Sequence, residues 1–114
     1  MPGQYIGTLH MNVGDLFSTG LNEVSPYQPQ VTRLAKDITI HGPPFLAGGN
    51  PGIVQVQAPN SATWEDYQEG GVDVKVAQAD VVRIRRSNFG DIRIRLPINI
   101  LAPADFIVEA ELGR

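Results

Sequence analysis

Cysteine is absent from the 114-residue sequence, so disulfides and thiolate-held metals are excluded. Histidine is scarce: His10 and His41 stand far apart in strand-like surroundings, without HExxH spacing or a third ligand. Neither a metal nor another cofactor is therefore expected, and each histidine reads as a surface or edge residue. No apolar run approaches the roughly 20 residues that a membrane helix requires, which argues against a membrane partner. The opening residues, "MPGQYIGTLH", lack the basic start and apolar stretch of a secretory signal, so a soluble protein made in a reducing cytoplasm is expected.

Catalytic patterns are missing as well. Ser18, Ser25, Ser61 and Ser87 have no nucleophile-elbow context. "LAGGNPG" has the glycines of a phosphate loop but no Gly-Lys-Ser/Thr after it and no helix opening there. "WEDYQE" crowds Glu65, Asp66 and Glu69 too closely for a glycosidase pair or a calcium loop, and reads as a solvated acidic turn. The sequence is not expected to encode an enzyme.

Twelve glycines and nine prolines break the chain into short pieces, and helical periodicity is nearly absent. Period-two alternation recurs instead. Strands are predicted over Gln4 to Met11, with Tyr5, Gly7, Leu9 and Met11 on one face, over Lys36 to His41, and in "IVQVQAP". "VDVKV" sets Val72, Val74 and Val76 on one face, "ADVVRIRR" and "DIRIRL" turn Val82, Ile84, Ile92, Ile94 and Leu96 inward, and "PINILAP" and "ADFIVEAEL" supply two more strands. Long loops fall at about 12–30, 42–52 and 58–71, the last forming one helical turn at most. The expectation is one all-β domain spanning 1–114: an antiparallel β-sandwich, jelly-roll-like fold or small barrel with long Gly/Pro-rich loops and an N-terminal arm.

Charge is split along the chain. Residues 1–74 hold two basic and seven acidic groups, and residues 75–114 hold seven basic and five acidic groups. Five arginines against one aspartate lie between Val81 and Arg95. A hairpin turning at Asn88-Phe89-Gly90 would set Arg85 opposite Arg93 and Arg83 opposite Arg95; a two-residue shift would pair Arg85 with Asp91 and Arg83 with Arg93. Either register places the arginines on one face, where like charges repel and anions are needed. Those anions could come from within, as a ladder to Asp73, Glu109 and Glu111, or from an acidic protein surface. A single nearby ring, Phe89, and a pI of about 5.2 argue against nucleic acid.

Six of the eight aromatics fall outside the clear strands: Phe17, Tyr27, Phe45, Trp64, Tyr67 and Phe89. Such rings either plug the open ends of a sandwich or reach into another molecule. "GPPFLAGGNPG" is the strongest contact candidate, because its prolines reduce the entropy lost on binding.

With this loop, the strand-rich block from Val72 to Leu112 and the N-terminal arm, the whole chain resembles in size, composition and layout the cement or decoration proteins of tailed-bacteriophage heads. The resemblance implies a subunit, often a dimer or trimer, that clamps neighbouring copies of the major capsid protein from outside an icosahedral shell. It would be made in the host cytoplasm and end on the virion surface. Phe17, Tyr27, Phe45 and Leu46 would then be apolar anchors, and Arg83, Arg85, Arg93 and Arg95 electrostatic contacts. Two other roles fit the same features: a carbohydrate- or small-ligand-binding sandwich using Trp64 and Tyr67 as platforms, and a structural subunit of a phage tail or head–tail joint.

Overall fold

A computed structural model describes residues 4–21, 35–46, 50–58, 61–84 and 90–112. These form ten strands: β1 (Gln4–Met11), β2 (Ala35–His41), β3 (Gly52–Gln57), β4 (Trp64–Asp66), β5 (Gln68–Glu69), β6 (Val72–Asp73), β7 (Lys75–Val76), β8 (Val81–Ile84), β9 (Asp91–Arg95) and β10 (Ala104–Leu112). All pairings are antiparallel. One sheet runs β1-β10-β2-β8. In the second, β9 lies along one edge of β3, while β4 and β7 share the other. Between β4 and β7 the chain leaves as a small ribbon, β5–β6, whose turn uses Gly70 and Gly71, both at positive φ (62° and 80°). The ribbon closes at its base where the Val74 N–H donates to the Tyr67 carbonyl (2.9 Å). The all-β class and the sandwich expectation hold; the sheets do not close into a barrel. Among the described residues no helix is long and apolar enough to cross a membrane.

The alternation explains the layering. Leu9, Met11, Ile38, Ile40, Ile84, Phe106 and Val108 from the first sheet meet Val54, Val76, Ile92, Ile94 and Leu96 from the second in one buried cluster. Two strand expectations needed revision at single residues. A bulge between Tyr5 and Gly7 inserts Ile6, so Ile6 turns inward and Tyr5 is thrown to the solvent face opposite Glu109. Val72 does not share a face with Val76, because β6 belongs to the projecting ribbon and leaves Val72 exposed.

Three segments differ more widely from expectation. "PINILAP" is not a strand: it is bracketed by Pro97 and Pro103, and its backbone groups go to the 12–15 loop, with Gly14 N–H donating to the Ile100 carbonyl (2.8 Å) and Ile100 N–H to the Asp15 carbonyl (3.0 Å). The loop expected over 58–71 contains β4 and β5, since Trp64, Glu65 and Asp66 pair with Gln57, Val56 and Gln55. The predicted arginine hairpin does not form: β8 pairs with β2 and β9 with β3, in different sheets. Ile84 and Ile94 still both face the core, but from opposite sides of it.

Gly42, just after β2, lies against the connection between β7 and β8. A Cβ there would overlap the carbonyl oxygen of Ala77, a backbone atom that cannot swing aside. At Gly52 the corresponding overlap is with the Ile94 Cγ2 methyl, held on the branched carbon of a fully buried side chain, so relief there requires the core to shift. Gly42→Ala and Gly52→Ala are therefore each expected to destabilise the protein by about 1–3 kcal/mol, read from urea midpoints of the two variants.

Candidate functional site

The arginines predicted to share a face lie on two. Arg83 stands on the solvent side of β8, opposite Thr39 of β2, and is exposed. Arg93 and Arg95 stand on the outer face of the other sheet, on β9. Arg85 lies outside the described residues, as do Tyr27 and the hairpin tip with Phe89. Nor do the two expected carboxylates of described side chain meet these arginines in a ladder. Glu109 contacts His41 instead (Oε1 to Nε2, 2.8 Å), and Asp73 accepts from Gln68 Nε2 (2.9 Å).

Arg93 is held by a set of contacts that sequence reasoning missed. Its guanidinium carbon lies 4.2 Å from the centre of the Phe17 ring and 4.2 Å from that of Trp64. The two rings approach from different sides of β9. Phe17 comes from a segment that pairs with the free edge of β9: Ser18 N–H donates to the Ile94 carbonyl, Leu96 N–H to the Leu16 carbonyl, and Ile94 N–H to Ser18 Oγ, each at 2.8 Å. Trp64 comes from β4, across β3. Between them Arg93 Nε donates to Gln55 Oε1 (2.8 Å), Gln55 Nε2 donates to Asp66 Oδ1 (2.9 Å), and Arg95 Nη2 donates to Asp66 Oδ2 (3.2 Å). The register dictates this chain, because Gln55 lies directly opposite both Arg93 and Asp66. Gln55 is only 7% exposed although it faces outward. The Asp66 carboxyl sits below its ordinary value, first because Gln55 donates to it and then because of Arg95, with partial burial opposing both.

This arrangement gives Arg93 and Arg95 partners within the chain, one carboxylate among them, on a face that the sequence left open for an acidic partner. It also changes the meaning of the aromatics. One face of the Trp64 ring is covered by a guanidinium, and Tyr67 packs partly against the core with its hydroxyl donating to Glu69 (3.0 Å). A sugar platform at these two rings would need that cover removed.

Exposed apolar side chains are concentrated elsewhere. The strand ends place four connections at one pole of the sandwich: 12–18, 42–46, 77–80 and 96–103. Hydrogen bonds lock them in pairs. Gly42 N–H donates to the Asp80 carbonyl (2.8 Å) and Ala79 N–H to the Pro43 carbonyl (2.6 Å), while Asn99 Nδ2 donates to the Gly14 carbonyl (2.6 Å). Ala79 adopts a left-handed backbone there (φ 53°), at a cost of about 1–2 kcal/mol that its contacts must offset. Of ten exposed large apolar side chains among the described residues, seven belong to this pole: Val13, Leu16, Phe17, Phe45, Val81, Ile98 and Leu101. Phe45 (66% exposed) is among them, as expected of an anchor, but its neighbour Leu46 is not. Leu46 is 1% exposed, a core residue whose N–H donates to Gln78 Oε1 (3.1 Å), and cannot be a partner contact without unfolding. Ile98 and Leu101 were hidden by reading "PINILAP" as a strand; the two prolines and the adjacent pair Ile100–Leu101, which breaks alternation, were the available signals.

No protein-family model matches the sequence, and no curated protein or solved structure matches it significantly. Among the described residues no group of three or more His, Cys, Asp or Glu side chains is placed to hold a metal ion. The residues themselves carry the functional reading.

Two outcomes test the arginine site. Arg93→Ala removes two ring contacts and leaves Gln55 Oε1 without this donor, an expected loss of about 2–4 kcal/mol, while Arg93→Lys should recover only part of it. Trp64, the single tryptophan, reports both through its emission during guanidinium unfolding. Because the Asp66 carboxyl is depressed in the fold, its contribution is present above the unfolded value and is lost as pH falls through the lower folded one. Asp66→Asn should therefore flatten the decline of stability with falling pH in the acid range, as measured by urea midpoints at successive pH values.

Proposed function

We propose that the protein is a non-catalytic structural subunit that docks its apolar pole on a larger protein assembly. The supporting observation is the gathering of seven exposed apolar side chains at one pole, six on loops fixed by hydrogen bonds and Val81 at the start of β8. Concentrated apolar surface on a soluble domain marks sites of protein contact. Loops already ordered lose little entropy when bound, so more of the buried area is expressed as affinity. Phe45 and Leu101 are the anchors, Val13, Leu16, Val81 and Ile98 join them, Phe17 adds the side of its ring that is not against Arg93, and among the described arginines Arg83 is the exposed one that can contribute electrostatically.

The resemblance in size and layout to phage head decoration proteins supports one such assembly: the outer surface of an icosahedral capsid, with copies bound at many equivalent positions. Symmetry makes modest individual contacts sufficient, because an oligomeric subunit bound at two or three places is retained by effective concentration. In this role the sandwich is a rigid mount, and the pole is the working surface.

Phe45→Asp combined with Leu101→Asp tests the proposal. Both residues are exposed, 66% and 70%, so the fold should survive. Binding to particles from the source, followed by co-sedimentation, should weaken tenfold or more, about 1.4 kcal/mol or greater. Unchanged binding by the folded double variant, or a wild-type protein that stays monomeric and ignores all such particles, would refute the proposal. Closed rings formed by the protein alone would shift the role to a tail or head–tail joint.

A further inference from the structure

On the outer face of the first sheet, His10 makes a contact with each ring nitrogen, and both partners are oxygen atoms. Nδ1 lies 2.5 Å from Asp105 Oδ1 on β10, and Nε2 lies 2.8 Å from Asn12 Oδ1. A neutral imidazole carries a single N–H and can serve only one of two acceptors; the imidazolium carries two and serves both. The backbone holds the ring in place independently, since His10 N–H donates to Thr19 Oγ1 (3.0 Å) and the His10 carbonyl accepts from Thr19 N–H (2.9 Å).

Asn12 begins the loop that carries Val13, Leu16 and Phe17. Its N–H donates to Asp15 Oδ2 (2.9 Å) and its carbonyl accepts from Asp15 N–H (3.0 Å), so the Asn12–Asp15 turn is one unit with its side chain tied back to His10. We propose that His10 is a protonation-dependent clasp: as an imidazolium it ties Asp105 of β10 to the first turn of the apolar pole, and on losing the Nε2 proton to solvent it gives up its tie to the Asn12 side chain, leaving the turn to its hydrogen bonds with 96–103.

The electrostatic surroundings agree. Asp105 faces His10 directly, and Asp15 stands in the adjoining turn; both favour the cation. Beyond Asp105 on the same face lie Ile107 and then Glu109, the latter engaged with His41 of β2 (2.8 Å). Arg83 lies further away, on β8. The pKa of His10 is raised, chiefly by the hydrogen bond to Asp105 and then by that to Asn12. A raised histidine stabilises the fold fully below its unfolded value, and the contribution disappears as pH rises through the folded one. The clasp is thus closed on the acidic side and opens above the ordinary imidazole range. Any consequence for docking rests on the proposed role of the pole; the clasp itself requires no partner.

Nitrogen-15 NMR of the intact chain tests it without one. Below the transition both His10 ring nitrogens should resonate as protonated, and the amides of Asn12, Val13, Gly14 and Asp15 should titrate with the same midpoint, above the ordinary imidazole value. Hydrogen exchange at these amides, corrected for its intrinsic pH dependence, should accelerate as the proton leaves. Asp105→Asn should lower the midpoint while keeping the fold, and His10→Gln should abolish the titration of the loop amides. His41→Gln is the internal control and should leave the response of these amides unchanged. A neutral His10 ring below the ordinary value, or loop amides indifferent to its titration, overturns the clasp. Both results are independent of particle binding, so failure here leaves the docking proposal standing, and the reverse.

Discussion

The layer of aliphatic side chains between the two sheets is the constraint on which the other features depend. Each strand that enters the sandwich must turn alternate residues toward that layer, and the layer has two sides. Ile84 and Ile94 satisfy this from opposite sides, with β8 bound to β2 and β9 to β3. Once the chain crosses from one sheet to the other between these strands, their outward residues necessarily point in opposite directions. The arginines are divided by the packing of the isoleucines between them.

That division determines which surfaces are satisfied internally. Arg93 and Arg95 fall on a face where Gln55 and Asp66 lie directly in register and where Phe17 and Trp64 can approach the guanidinium from two sides. Planarity makes arginine suited to stacking and to forked hydrogen bonding at once. The cluster binds β4, β3, β9 and the Phe17 segment into one structure, so it serves the fold. The pole is the reverse case. Its backbone groups are well paired, but its apolar side chains stay in water, an arrangement that a single subunit has no energetic reason to maintain.

Much of the fold was legible because alternation is local. β1, β2, β3, β9 and β10 were readable from period two. The misreadings share one cause. A hairpin between β8 and β9 was reasonable from spacing, yet strand pairing is a choice among distant edges that spacing does not encode. "PINILAP" is apolar enough to pass for a short strand but has its hydrogen bonds in the 12–15 loop. Leu46, adjacent to an exposed Phe45 in a loop, is buried because Gln78 captures its backbone and the core receives its side chain.

Residue order by itself determined the class of fold, most of the strand faces and the lack of any metal-binding or nucleophile motif, since each follows from the chemistry and periodicity of near neighbours. Tertiary structure alone decided that the arginines would be separated, that Gln55 would become a buried relay between Arg93 and Asp66, that His10 would find oxygen on both ring nitrogens, and that four connections distant in sequence would meet at one pole. These depend on which edges pair and at what register, and that selection is made by the whole apolar layer at once.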